Sequence, residues 1–352
     1  MLTKQYKIRY RNLLLDPVFF WFFCSISLLI ILICVGGITR LTESGLSITE
    51  WQPIMGVLFP LTDLSWQMEF DKYKQIPEFL LLNNDMSLSE FKYIYFWEWF
   101  HRMIARGFGF LFLFPFLYFL YKRSFKEKEY ILLPFVLVLI IIQAIVGWYM
   151  VQSGLSENVN VSQYRLALHL SIAFVILGLL LYLLLHRVNI LINENRHKDI
   201  FLRVTSYIIL LFVFLQIVLG AFLSGIRAGL AYNTWPLMDG KVIPDNLFIL
   251  PTWYKNFFEN PLTVQFDHRI LAYILLFTVL MQWTYLYKNY KNTIYLKSST
   301  YLILALFFQI ILGVLALLNQ VPIYLGILHQ LGAVLLFIAA LHHFYITEQT
   351  SK

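Results

Sequence analysis

Eight long apolar runs separated by polar stretches set the pattern of this 352-residue chain. They lie near Val18 to Ile38, Met103 to Tyr121, Tyr130 to Val151, Leu166 to Leu185, Val204 to Ser224, Ile270 to Tyr287, Tyr301 to Leu318 and Gly326 to Thr347. Each approaches the roughly 20 residues that a helix needs to cross a hydrocarbon core about 30 Å thick. The runs are continuously apolar and lack the in-out alternation of a barrel strand, so each predicts a helix. The expected fold class is an all-α polytopic membrane protein with eight transmembrane helices.

The chain then repeats itself. GGITRLTESGLSITEWQPIMG at 36–56 aligns without gaps on GAFLSGIRAGLAYNTWPLMDG at 220–240, an offset of 184 that superposes Gly36, Gly45, Leu46, Trp51 and Gly56 on Gly220, Gly229, Leu230, Trp235 and Gly240. Each stretch follows the first apolar run of its half. The second run of each half opens at a His-Arg pair, His101-Arg102 and His268-Arg269, offset by 167, so the first outer loop is 17 residues longer. Gln143-Ala-Ile-Val-Gly147 matches Gln309-Ile-Ile-Leu-Gly313, and Tyr164 to His169 resembles Tyr324 to His329. Two tandem four-helix bundles are expected, residues 1–187 and 188–352. Four spans separate corresponding helices, so the halves share one orientation, related by a pseudo-two-fold along the membrane normal.

Composition agrees: 59% hydrophobic and 13% charged residues, with a mean hydropathy of +0.68, exclude an ordinary soluble domain. The net charge of +7 matters through its distribution between loops. Lys4, Lys7, Arg9 and Arg11 precede the first run, and Lys122, Arg123, Lys126 and Lys128 fill the second loop. Arg187, Arg196, Lys198 and Arg203, then Lys288, Lys291 and Lys297, mark the fourth and sixth loops. These loops are expected inside, with both termini cytoplasmic, and nothing suggests nucleic-acid binding. Only 17 residues precede the first run, which leaves little room for a transit peptide, and a bacterial inner membrane is expected. The two cysteines, Cys24 and Cys34, lie within the first run and read as packing residues.

Candidate chemistry centres on four histidines at repeated positions, His101 and His169 in one half, His268 and His329 in the other. The remaining four, His186, His197, His342 and His343, fall near inner loops and read as interfacial or solvated. A lone membrane histidine commonly just bonds helices together; a repeated pair per bundle points to a cofactor. Zinc wants three or four close ligands, whereas haem iron needs only two axial imidazoles between apolar helices. One haem per half is the economical reading. Arg102, Arg106, Arg165 and Arg269, near the same outer ends, admit two readings: pairing with haem propionates or snorkelling to the interface.

Glu98 is the asymmetric residue. It pairs with Arg102 four residues on, or, on a helix begun before it, shares the face of His101 and serves as an acid-base or charge-stabilising group. The matching residue in the second half is Gln265, which cannot titrate.

Together, GGITRLTESGLSITEWQP at 36–53, EWFHR at 98–102, RAGLAYNTWPLMDG at 227–240 and DHR at 267–269 resemble haem A synthase over nearly the whole chain. The resemblance implies oxidation of a methyl group of haem O to the formyl group of haem A by successive hydroxylations, with water as the oxygen source. It implies a haem b cofactor on His268 and His329, substrate haem on His101 and His169, and Glu98 as the functional glutamate. The first outer loop has no cysteine, as in the cysteine-free mitochondrial and proteobacterial branch. A haem O synthase, an electron acceptor and membrane lipid are the partners it suggests, and a homo-oligomer is left open. A two-haem electron-transfer cytochrome shares the histidine argument without the glutamate. A tandem-repeat solute transporter would instead put its polar groups at mid-membrane.

Overall fold

The computed structural model describes residues 15–52, 55–155, 159–188 and 199–348. Eight long helices form: α1 Pro17–Leu41, α2 Leu88–Tyr121, α3 Glu127–Leu155, α4 Gln163–Val188, α5 Ile200–Gly225, α6 Pro261–Asn289, α7 Ile294–Leu318 and α8 Ile323–Glu348. All eight are long and apolar enough to span a bilayer. No β-strand forms among the described residues. The basic tail at Lys4 to Arg11, together with Arg196, His197 and Lys198, lies outside the described residues.

Local chemistry sets the helix starts. Asp16 caps α1, accepting from the Val18 amide at 3.0 Å, with Pro17 in the first turn, where its missing N–H is harmless. Asn260 and Pro261 start α6 in the same way. Ser87 and Glu90 form a reciprocal capping box at the start of α2. Two helices therefore begin well before their apolar runs, α2 at Leu88 instead of Met103 and α6 at Pro261 instead of Ile270.

The 34 residues of α2 make a rod about 50 Å long, well beyond a core of about 30 Å. Its first turns are held by the outer loop: Phe91, Ile94 and Tyr95 pack on Leu46, Ile48, Trp66, Phe70, Tyr73 and Ile76. Trp66, Phe70 and Tyr73 come from a short helix, Asp63–Tyr73. Further along, Pro115 interrupts α2 and takes away the N–H that would bond the Leu111 carbonyl. The Trp21 indole of α1 donates to that carbonyl at 2.9 Å, filling the gap from a neighbouring helix.

Within the first half α1 packs on α2 and α4, and α3 on α4; within the second, α5 packs on α6 and α8, and α7 on α6 and α8. The halves meet through α4 with α5 and α1 with α8. Their core is continuous, with Phe174 of α4 edge-on to Phe337 of α8 at 5.3 Å between ring centres. Polar ties reinforce the seam. Arg40 donates to the Ser224 and Gly225 carbonyls at the C-terminus of α5, at 2.8 and 3.2 Å, where a cation meets the negative end of the helix dipole. Gln330 donates to the Ile33 carbonyl at 2.8 Å, and its amide fills the space that Gly37 leaves open. Glu43 and Arg227 occupy the same repeat position, both with left-handed backbone at φ 55° and 54° just past a helix end. They pair with each other at 2.9 Å.

At the opposite ends of the helices, Arg187 bridges Asp16 and Glu129, at 2.6 Å to each. Glu129 is fully buried, so this triad fixes α1, α3 and α4 relative to one another.

Candidate functional site

Each repeated histidine rests against a glycine of the helix beside it. His101 of α2 lies on Gly36 of α1, and His169 of α4 on Gly147 of α3. His268 of α6 lies on Gly220 of α5, and His329 of α8 on Gly313 of α7. A β-carbon at these positions would stand 3.2, 3.0, 3.4 and 2.9 Å from the imidazole, so the missing side chain makes room for the ring. All four residues are half-buried. Within each half the two imidazoles are near enough for their charges to interact, His101 with His169 and His268 with His329.

Glutamine amides brace the ring-bearing backbone. Gln143 donates to the His169 carbonyl at 3.0 Å and Gln216 to the His268 carbonyl at 2.8 Å. Gln309 meets the His329 ring at 3.4 Å. Nδ1 of His169, His268 and His329 is buried without a hydrogen-bond partner. An orphaned imidazole nitrogen in an apolar interior is costly, and these three lie on the side of the ring that rests against the glycine.

Glu98 sits one turn before His101 on α2 and is buried. Its Oε2 accepts from the Ser47 hydroxyl at 2.7 Å and the Ile48 amide at 2.8 Å, and its Oε1 pairs with Arg102 at 2.5 Å. Arg102 also donates to the Ile48 carbonyl at 3.1 Å. The carboxylate is thus both the partner of Arg102 and a clamp on the outer loop. The second half keeps the plan and reverses its polarity. Gln265 donates to the Ala228 and Tyr232 carbonyls, each at 3.1 Å, and accepts from Arg269 at 3.2 Å. Arg269 donates to the Tyr232 carbonyl at 3.1 Å. Tyr232 is the repeat equivalent of Ile48, so the two arginines make the same bond.

Among the four candidate arginines, Arg269 keeps Nε and Nη1 buried with no partner, donors suited to an anion. Arg106 donates to the Gln52 carbonyl at 3.2 Å. Arg165 is turned onto Tyr149, 3.5 Å from the ring centre, and donates to the Tyr149 carbonyl at 2.5 Å.

One histidine departs from its expected role. His343 is not interfacial or solvated: it is 1% exposed and bonded to Ser298 and Gln282 at 2.8 and 3.0 Å. Its partners lie on two other helices, which proximity to the chain end does not reveal. The glycines were visible only as repeat matches; four glycines each recurring in the helix next to a repeated histidine are the signal of their role.

The donor set suits haem. Among the described residues no three His, Cys, Asp or Glu side chains gather, and each half offers two imidazoles on separate helices. The fold and these paired sites define an integral membrane protein of eight helices with an imidazole pair in each half.

Residues 19–341 match the model of the cytochrome oxidase assembly protein family, and the chain belongs to that family. It is 46% identical over 303 residues to the "Heme A synthase" of Parvibaculum lavamentivorans, covering 86% of each chain. The proteins of that name from Brucella ovis and Brucella abortus are each 42% identical over 306 residues, covering 87% of this chain and 85% of theirs.

Proposed function

We propose that this protein is a haem A synthase, a membrane oxidoreductase that oxidises a methyl group of haem O to the formyl group of haem A by successive hydroxylations. Family membership and identity to proteins of that name along most of the chain support the activity. The observation that carries the assignment of sites is the glycine-backed imidazole pair in each half.

The finer reading divides the work between two tandem four-helix bundles, residues 1–187 and 188–352, related by a pseudo-two-fold along the membrane normal. His268 and His329 would hold a haem b cofactor, and His101 and His169 the substrate haem. Bound haem b supplies one-electron redox chemistry. The chain supplies the rest. Imidazoles orient each macrocycle, glycines fix how deeply it sits, and Arg269, with two unpaired N–H groups, meets a propionate. Arg102 and Arg106 line the corresponding rim; Arg165, occupied by Tyr149, is the weakest of the four for that task.

Glu98 marks the half where oxidation occurs. Each oxidation by water releases protons as well as electrons, and Glu98, paired with Arg102 on the face of His101, is placed to take a proton or to stabilise positive charge at the reacting carbon. Gln265 does neither. The basic loops support cytoplasmic termini and the bacterial relatives an inner membrane, with a haem O synthase upstream and an electron acceptor downstream.

Membranes containing the protein and supplied with haem O should accumulate haem A on chromatography of the extracted haems. The variant Glu98→Gln should retain haem and lose conversion. Recovery of unmodified haem alone from the parent would favour the two-haem electron carrier, and full turnover in the variant would remove Glu98 from the chemistry.

A further inference from the structure

At the far end of the second half a polar network joins all four of its helices. Gln282 of α6, fully buried, donates through Nε2 to the Thr205 and Ser206 hydroxyls of α5, each at 2.8 Å. Its Oε1 faces Nε2 of His343 on α8 at 3.0 Å, and Nδ1 of His343 faces the Ser298 hydroxyl of α7 at 2.8 Å.

The proton directions follow from the partners. Thr205 and Ser206 spend their hydroxyl protons on the Phe201 and Leu202 carbonyls, so they accept from Gln282. That leaves Oε1 as an acceptor, and His343 must donate to it from Nε2. Nδ1 then accepts from Ser298, and every strong donor of this network is used.

The placement ties this network to the imidazole pair. Gln282 follows His268 on α6, and His343 follows His329 on α8, by the same 14 residues. Fourteen residues are close to four turns, about 21 Å along the axis, and return to nearly the same face. The second half therefore carries two cross-helix rungs between α6 and α8, the haem-binding pair and the Gln282–His343 pair.

The first half lacks the second rung. The repeat places Trp21, Phe22, Pro115, Leu132 and Leu183 where the second half has Thr205, Ser206, Gln282, Ser298 and His343. The Asp16–Arg187–Glu129 triad ties α1, α3 and α4 there and omits α2, the helix of His101. What holds α2 at that end is apolar packing and the Trp21 bond to Leu111.

These two constructions respond differently to helix separation. Lipid tails replace apolar helix contacts at little cost, because they are as apolar as the side chains lost. Parting Gln282 from His343 would leave an amide oxygen and an imidazole N–H unpaired in hydrocarbon, where no water can take them.

We propose that Gln282 and His343 are positioning residues that lock α6 to α8 and make the haem of the second half a resident group, whereas the first half, without the lock, opens to exchange its haem. The inference rests on the proposed assignment of haem b to His268 and His329. Substrate must enter and product must leave one site while the cofactor stays in the other, and the asymmetry between the far ends supplies that difference.

The test uses full-length protein carrying His101→Ala and His169→Ala, so that the second-half haem is the one observed. Haem transfer to excess apomyoglobin is timed with and without the pair Gln282→Leu and His343→Leu. This double change leaves no orphan, since Thr205 and Ser206 keep their carbonyl partners and Ser298 has the Tyr295 carbonyl at 3.0 Å to donate to. Transfer should quicken roughly tenfold, with an altered low-spin haem spectrum and a retained melting temperature. His343→Gln alone, which can still donate to Gln282, should restore slow loss. An unchanged transfer rate in the double variant would overturn the lock. Absence of haem from the background protein before either change would instead overturn the assignment of the cofactor to this half.

Discussion

Glu98 and Gln265 hold the same position in the two halves and grip their outer loops with opposite polarity. Glu98 accepts from the Ser47 hydroxyl and the Ile48 amide, whereas Gln265 donates to the Ala228 and Tyr232 carbonyls. The loop backbone presents a donor to one and acceptors to the other. Each side chain is the one its loop requires, quite apart from chemistry on a substrate.

Exchange should therefore fail even in the half without the proposed chemistry. Gln265→Glu would set a carboxylate, 1% exposed in the parent position, against two carbonyl oxygens with only Arg269 to offset it. We expect a cost of about 3 kcal/mol, read as a lowered melting temperature in detergent. Ser47→Ala, which removes one of several bonds to Glu98, should cost about 1 kcal/mol. A melting temperature unchanged by Gln265→Glu would mean that the second outer loop is held by other contacts.

The glycines beneath the imidazoles predict a graded series. Gly313→Ala and Gly147→Ala put a methyl group 2.9 and 3.0 Å from His329 and His169, inside normal carbon contact, so the ring must move. Gly220→Ala, at 3.4 Å from His268, is ordinary contact and should be mild. Gly45→Ala meets nothing within 4 Å and serves as the control. Haem content and the low-spin spectrum after purification should fall in that order; equal haem retention across all four would detach the glycines from the binding sites.

The outer loop carries a titrating carboxyl. Glu78, in the short helix Pro77–Leu82, is 4% exposed and accepts from Tyr73 at 3.1 Å. Burial, opposed by that hydrogen bond, pushes its pKa up from 4.5 to about 7, with Glu43 and Glu98 adding to the rise. A carboxyl that binds its proton more tightly when folded favours the fold at low pH. That contribution is complete below about pH 4.5 and is lost as pH rises through about 7. The swing is roughly 3 kcal/mol. Glu78→Gln should abolish it, so the melting-temperature gap between variant and parent should widen in the variant's favour from pH 4.5 to 7 and then level off. A gap that does not change with pH would refute the buried titration.

Much of the fold was legible in the sequence because a bilayer demands long apolar runs and an internal repeat shows many positions twice. The eight spans and the repeated histidines followed from those two facts. The starts of α2 and α6 did not, because their first turns lie beyond the apolar run and owe their helicity to caps and to packing on the outer loop. The spacing of Glu98 and His101 put them on one face, but nothing in it disclosed the Ser47 and Ile48 donors, which come from a segment 50 residues away. His343 conceals its surroundings for a related reason: its environment is made by α6 and α7, and a residue near the end of a helix can be as dry as one at its middle.

The Glu43–Arg227 pair bears on how such a molecule arose. A residue that touches its own repeat equivalent would, in an assembly of two identical copies, meet an identical residue, and two glutamates or two arginines at 2.9 Å repel. The attraction seen here needs two copies free to differ at that position. Two halves carried on one chain meet that condition, whereas two copies of a single shorter chain do not.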